Sequence, residues 1–150
     1  MTKIESMEAA VRRRVEGLSE AVRARDLDAV MCFYTPDNIV LELDPPLRYT
    51  GTPNKRRAWR EFFDLHQGDI GYDVRDLKVS AQGDTAFVRS VNRVSAMLPS
   101  GNRSEMWVRW TACFKRLDGI WLIAHDHVSV PVRHPGTGAA LQPAPLARLG

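Results

Sequence analysis

The chain has little of what marks a metalloprotein, a disulfide scaffold or a membrane protein. Only two of its 150 residues are cysteine, Cys32 and Cys113. Both stand in apolar sequence and share no metal-type spacing, so they read as small buried hydrophobes in a reducing compartment. No apolar run approaches the roughly 20 residues of a membrane helix, and no leader-like segment or internal repeat is visible. This predicts a cytoplasmic protein without a membrane partner. Charge of one sign is also scarce: 21 Lys and Arg face 18 Asp and Glu, a formal net charge of +3. The basic residues are scattered, with short clusters at Arg12-Arg13-Arg14 and Lys55-Arg56-Arg57. No recognition motif gathers them, so both read as solvated helix faces and no nucleic-acid partner is expected.

What is present is an ordinary globular composition, 44% hydrophobic and 26% charged, in a length that suits one domain with a real core. Residues 3–24 place Ile4, Met7, Val11, Val15, Leu18 and Val22 at spacings of three and four, an amphipathic helix. Asp26 can cap a second, short helix with Leu27, Val30 and Phe33 on its apolar side. "YTPDN" reads as a turn, "IVLEL" as a short strand and "DPP" as its end. A third helix starts at Thr52 as cap and Pro53 at its first position, and buries Trp59, Phe62, Phe63 and Leu65.

The remainder is β. "IGYDVRDLKVSA" alternates on Ile70, Tyr72 and Val74, then on Leu77 and Val79, a phase change that predicts a bulge near Arg75-Asp76. "GD" at 83–84, "PSGN" at 99–102 and "DG" at 118–119 separate long alternating runs, which predicts a meander. The proline-bearing end lacks periodicity. The division expected is a domain over 1–131 and an extended arm or disordered tail over 132–150.

Three helices followed by a strongly bent, mainly antiparallel sheet predict an α+β cone. The stretches "DPPLRYTG" at 44–51, "RSVNRVSA" at 89–96, "WVRWT" at 107–111, "DGIWLIAHDHVSVP" at 118–131 and "PGTGAAL" at 135–141 resemble the nuclear transport factor 2-like superfamily. The resemblance is to its SnoaL-like, or bacterial ketosteroid isomerase homologue, branch. It implies a cystatin-like cone, a ligand pocket and dimerisation through the sheet.

A two-residue Asp118-Gly119 turn pairs Leu117 with Ile120. Unbroken counting then sets Thr111 opposite Asp126 and Trp110 opposite His127. On that register Trp107, Arg109, Thr111, Cys113, Asp126 and Val128 line the concave face, joined by Ser90, Asn92 and Val94. Trp110, Phe114, Ile123, His125 and His127 then form an apolar convex face, read as a homodimer interface. His125 and His127 have the spacing of a metal pair but find no third ligand there, so no metal is expected.

Asp126 thus has two readings. The resemblance implies an acid/base carboxylate, as in polyketide cyclases. The alternative is a structural carboxylate held ionised by Arg109 and hydrogen-bonded by Thr111 and Asn92, which would make a poor base. Asp44 aligns with the proton-shuttling carboxylate of ketosteroid isomerases, with Glu42 two residues earlier; the alternative is a solvated loop. The positions of the isomerase's oxyanion donors fall on Leu18 and near Cys113, which argues against that activity. Trp59, Tyr34 and Trp107 complete the candidate ligand-binding set. The function expected is binding of a small apolar or weakly acidic ligand, addressed by Arg109, with cofactor-free isomerisation, cyclisation or dehydration of a carbonyl compound. The alternative is a non-catalytic ligand-binding or assembly module.

Overall fold

The computed structural model of the chain describes residues 5–132. Helix α1, Met7–Arg23, is capped by Ser6, whose side chain accepts from the Ala9 amide. Its Val11, Val15, Leu18 and Val22 stripe is buried, while Met7 stays at the surface. Helix α2, Leu27–Met31, is capped by Asp26 as expected. Between them Arg25 takes the left-handed conformation (φ 57°). From there its guanidinium donates to the carbonyls of Phe63, His66 and Gly68, tying the first helical turn-around to the end of the third helix.

Strand β1, Tyr34–Leu41, contains the "YTPDN" segment that the sequence suggested as a turn. The strand survives because its register breaks between Tyr34 and Ile39, where Pro36 has no donor to give the ladder. A two-residue strand β2, Tyr49–Thr50, pairs with it at the edge of the sheet. Helix α3, Thr52–Leu65, is capped by Gly51 (φ 87°) and not by Thr52. Thr52 lies inside the helix and donates its hydroxyl to the Pro36 carbonyl at 3.3 Å. On the inner side of α3 Phe63 is buried and Trp59 and Phe62 are half-buried; Leu65, expected there, is exposed because it falls past the stripe at the helix end. Lys55, expected in solvent, is only 2% exposed.

Strands β3 (Gln67–Gln82), β4 (Thr85–Met97), β5 (Arg103–Leu117) and β6 (Ile120–Ser129) form the meander. The sheet order is β2-β1-β6-β5-β4-β3, antiparallel throughout except for β1 against β6. The bulge at Arg75-Asp76 is present: the β3–β4 register shifts between Arg75 and Lys78, with Asp76 at φ 52°. Asp118 (φ 50°) and Gly119 (φ 79°) are both left-handed, as a two-residue hairpin turn requires. The architecture is α+β, with helices packed on a mostly antiparallel six-stranded sheet.

The register of β5 departs from unbroken counting on both sides. Phe114 pairs with Ile123, but Cys113 pairs with His125, so Ala124 is an extra residue that bulges β6. Asp126 therefore lies opposite Ala112, and Thr111 opposite His127. The β4–β5 loop closes from Met97 to Arg103, which sets Asn92 opposite Val108 and so puts Val108, not Arg109, on the face of Asn92. The result inverts β5: Val108, Trp110, Ala112 and Phe114 are buried inward, while Arg109, Thr111 and Cys113 are exposed outside. Asn92 and Asp126 face inward as expected, at 0% and 2% exposure.

Three further expectations change. Trp110, Phe114 and Ile123 belong to the chain's own core and cannot form a dimer surface; of that set only His125 and His127 lie on the outer face. Both cysteines are exposed, Cys113 on the outer face of β5 and Cys32 at the end of α2. The arm expected over 132–150 lies outside the described residues apart from Val132.

Candidate functional site

The helices close one side of the bent sheet over a cavity of about 120 Å³. Its wall is mainly apolar: Leu18 from α1, Trp59 and Phe62 from α3, Val94 and Val108 from the sheet. The polar part is a cluster around Asp126, delivered to the cavity by the phase reset at Ala124. Asp126 Oδ2 accepts from the Trp110 indole N–H at 3.3 Å and from the Tyr34 hydroxyl at 3.4 Å. The Tyr34 oxygen in turn accepts from the Trp59 indole N–H at 3.3 Å. These are long hydrogen bonds, which orient the carboxylate without saturating it. Asp126 Oδ1 is buried and has no hydrogen-bond partner.

Lys55 is the cation of this cluster. Its first-turn position on α3 puts it one turn before Trp59 on the buried stripe. Nζ hydrogen-bonds Glu42, at the end of β1, and lies 3.6 Å from Asp126 Oδ1. It also sits 5.1 Å from the Tyr34 ring centre and 5.4 Å from that of Trp59, within cation–π range. Burial acts to lower the Lys55 pKa, but Asp126, then Tyr34 and Glu42, overcome it and hold the ammonium well above its ordinary value. Lys55 is therefore a fixed positive charge and hydrogen-bond donor, not an amine nucleophile. Burial, reinforced by the Asp126 charge, pushes the Tyr34 phenol well above its ordinary range. On the opposite wall burial raises Tyr72 to about 12, against the hydrogen bond from Asn92. Asn92 Nδ2 donates to the Tyr72 oxygen at 3.2 Å and its Oδ1 accepts from Ser90 at 2.7 Å, so the Tyr72 O–H is left to donate.

Of the residues singled out in the sequence, the cavity brings together Asp126, Glu42, Tyr34 and Trp59, with Asn92 behind Tyr72. Asp44 is exposed in the loop after β1 and does not line it. Arg109, Thr111 and Trp107 are on the other side of the sheet, where Arg109 donates to Ser129 at 3.1 Å. The partner of Asp126 is thus Lys55, which sequence reasoning assigned to solvent. A signal for it existed: Lys55, Trp59 and Phe62 recur at spacings of four and three, so the lysine sits on the apolar stripe. Among the described residues no cluster of three His, Cys, Asp or Glu has metal-binding geometry, and no helix is long and apolar enough to cross a membrane.

The family model described as a SnoaL-like domain matches residues 11–133. No curated protein matches the chain. Among solved structures, an NTF2-like protein of unknown function from Pseudomonas putida KT2440 is similar, with a TM-score of 0.78 and 24% identity over 92% of this chain and 96% of that one. A ketosteroid isomerase-like protein from Erwinia carotovora atroseptica SCRI1043 gives 0.71 and 19% over 83% and 96%. The association domain of C. elegans CaMKII gives 0.66 and 16% over 80% and 92%. At these identities the likeness is one of fold.

Proposed function

The chain belongs to the SnoaL-like family of the NTF2-like superfamily, and we propose that its cavity binds a small, mostly apolar carbonyl compound and moves a proton on it without a cofactor, in an isomerisation, cyclisation or dehydration. The observation that carries this reading is that Asp126, which lines the cavity, has one carboxylate oxygen, Oδ1, that accepts no hydrogen bond. A carboxylate oxygen with a free lone pair can take a proton from the carbon next to a carbonyl. The negative charge that then develops on the carbonyl oxygen needs donors, and the Lys55 and Tyr72 side chains both line the same cavity. Oδ2 keeps its bonds from Trp110 and Tyr34 throughout, which fixes the base in place.

The test is exchange of α-protons for deuterium on small cyclic and aryl ketones, followed by NMR. The wild type is expected to accelerate exchange on at least one of them. Asp126→Asn, shown folded by circular dichroism, is expected to lose about 10²–10⁴-fold. Undiminished exchange in that variant overturns the role given to Asp126.

One observation favours assembly as a second role. Phe87, Cys113, His125 and Ile39 are consecutive register partners across β4, β5, β6 and β1, and they form a row on the outer face with Phe87 52% exposed. A second copy of the chain would cover this row in a homodimer. Sedimentation is expected to show a dimer that Phe87→Glu dissociates. A monomeric wild type at micromolar concentration rejects it.

A further inference from the structure

Resting on the reading of the cavity as a small-molecule site, we infer that its ligand carries an N–H or O–H donor and no negative charge: an amine or alcohol group on a small flat body, not a carboxylic acid. The charge balance of the lining is the first ground. Lys55 is the one cation among the residues that line the cavity, and it faces two carboxylates, Glu42 and Asp126. Lys55 is already hydrogen-bonded to Glu42. An incoming carboxylate would set a third anion against a cation that is already committed, and like charges at short range repel.

The unpartnered acceptor is the second ground. Asp126 is 98% buried by its 2% exposure, and its Oδ1 accepts no hydrogen bond. A buried acceptor left open costs free energy that a donor on the ligand recovers. An alcohol satisfies it, and a protonated amine also neutralises the excess charge. The third ground is shape. Trp59, Phe62 and Tyr34 offer flat walls to a cavity of about 120 Å³, near the roughly 150 Å³ that accommodates benzene in an apolar protein cavity. The inference replaces the weakly acidic ligand expected from the sequence, because Arg109, its intended partner, lies on the opposite face of the sheet.

Benzylamine, benzyl alcohol, benzyl methyl ether and benzoate probe this with one ring and four polar groups. Binding can be followed by the fluorescence of Trp59 and Trp110, both in the cavity wall. The amine and the alcohol are expected to bind at least about tenfold more tightly than the ether and benzoate. Asp126→Asn is expected to erase the preference for benzylamine over the ether. Glu42→Gln, which balances the charge while leaving Asp126 in place, is expected to narrow the gap between benzylamine and benzoate by about tenfold, and decides the matter if Asp126→Asn does not fold. Benzoate binding as tightly as benzylamine overturns the inference. So does ketone exchange with no binding of the amine or alcohol, which leaves the proton-transfer reading standing. Selective binding of amine and alcohol without exchange on any ketone does the reverse.

Discussion

Lys55 Nζ lies 3.6 Å from Asp126 Oδ1 although the two residues come from opposite ends of the fold, the first turn of α3 and the last strand. Both are nearly free of solvent contact, each with a side-chain exposure of 3%. Removing one partner of such a pair leaves a buried charge uncompensated. Lys55→Met is therefore expected to cost about 3–5 kcal/mol in urea unfolding. The double variant Lys55→Met/Asp126→Asn is expected to recover part of that loss. A double variant no more stable than Lys55→Met alone refutes the coupling.

Stability is expected to fall above pH 10. The folded state holds the Tyr72 proton up to about 12, from an ordinary value of 10.0, and holds those of Tyr34 and Lys55 above their ordinary values as well. A raised pKa means that the native state binds the proton more tightly. Its contribution is complete below the unfolded pKa and is lost as pH rises through the folded one. Urea midpoints measured from pH 8 to 12 are expected to drop between 10 and 12. Tyr72→Phe is expected to make that drop shallower, and an equal drop in both proteins counts against Tyr72 as a source.

Arg25 is expected to be a structural residue of larger effect than its exposed position suggests. It supplies donors to three backbone carbonyls around the end of α3. Arg25→Ala loses them and keeps the strain of a left-handed non-glycine residue, for an expected cost of about 1–2 kcal/mol. Arg25→Gly relaxes the backbone and is expected to cost less. Hydrogen exchange at the end of α3 distinguishes this from a uniform loss: the faster exchange is expected to be local.

Both cysteines are exposed on the single chain, so Cys32 is expected to react with a thiol reagent in the native protein and Cys113 in the Phe87→Glu monomer. Cys113→Ser is expected to change stability by less than about 0.5 kcal/mol. Cys113 labelling that waits for unfolding even in that monomer contradicts the register that turns β5 outward at this position.

Much of this molecule is legible in its sequence, and the failures share a physical cause. The turns at 83–84 and 118–119 are written in residues that tolerate left-handed backbone, and both hairpins form there. The bulge at Arg75-Asp76 shows because apolar residues change phase around it, from Val74 to Leu77. The bulge at Ala124 produces the same kind of shift, but the residue that resumes the inner phase is Asp126, so hydrophobic alternation gives no cue. A trace remains in Trp121 and Ile123 on one parity and Val128 on the other. Counting through that bulge assigns Trp121 and Ile123 to one face and Asp126 and Val128 to the other, which splits the inner side of β6 between the two. Lys55 escaped for a related reason. Residue type argues for solvent, and only its place on the stripe with Trp59 argues for burial.

The buried ammonium of α3 also bears on the order of folding. The apolar stripe of this helix cannot be desolvated at low cost until carboxylates are in place for Lys55. Glu42 directly follows β1 and is near in sequence, but Asp126 lies 71 positions further along the chain, from Lys55 to Asp126. Closing that distance is a non-local event with a substantial entropy cost. Final docking of α3 is thereby expected to wait on the last strand, with the cavity between them closing after β6 has found its shifted register.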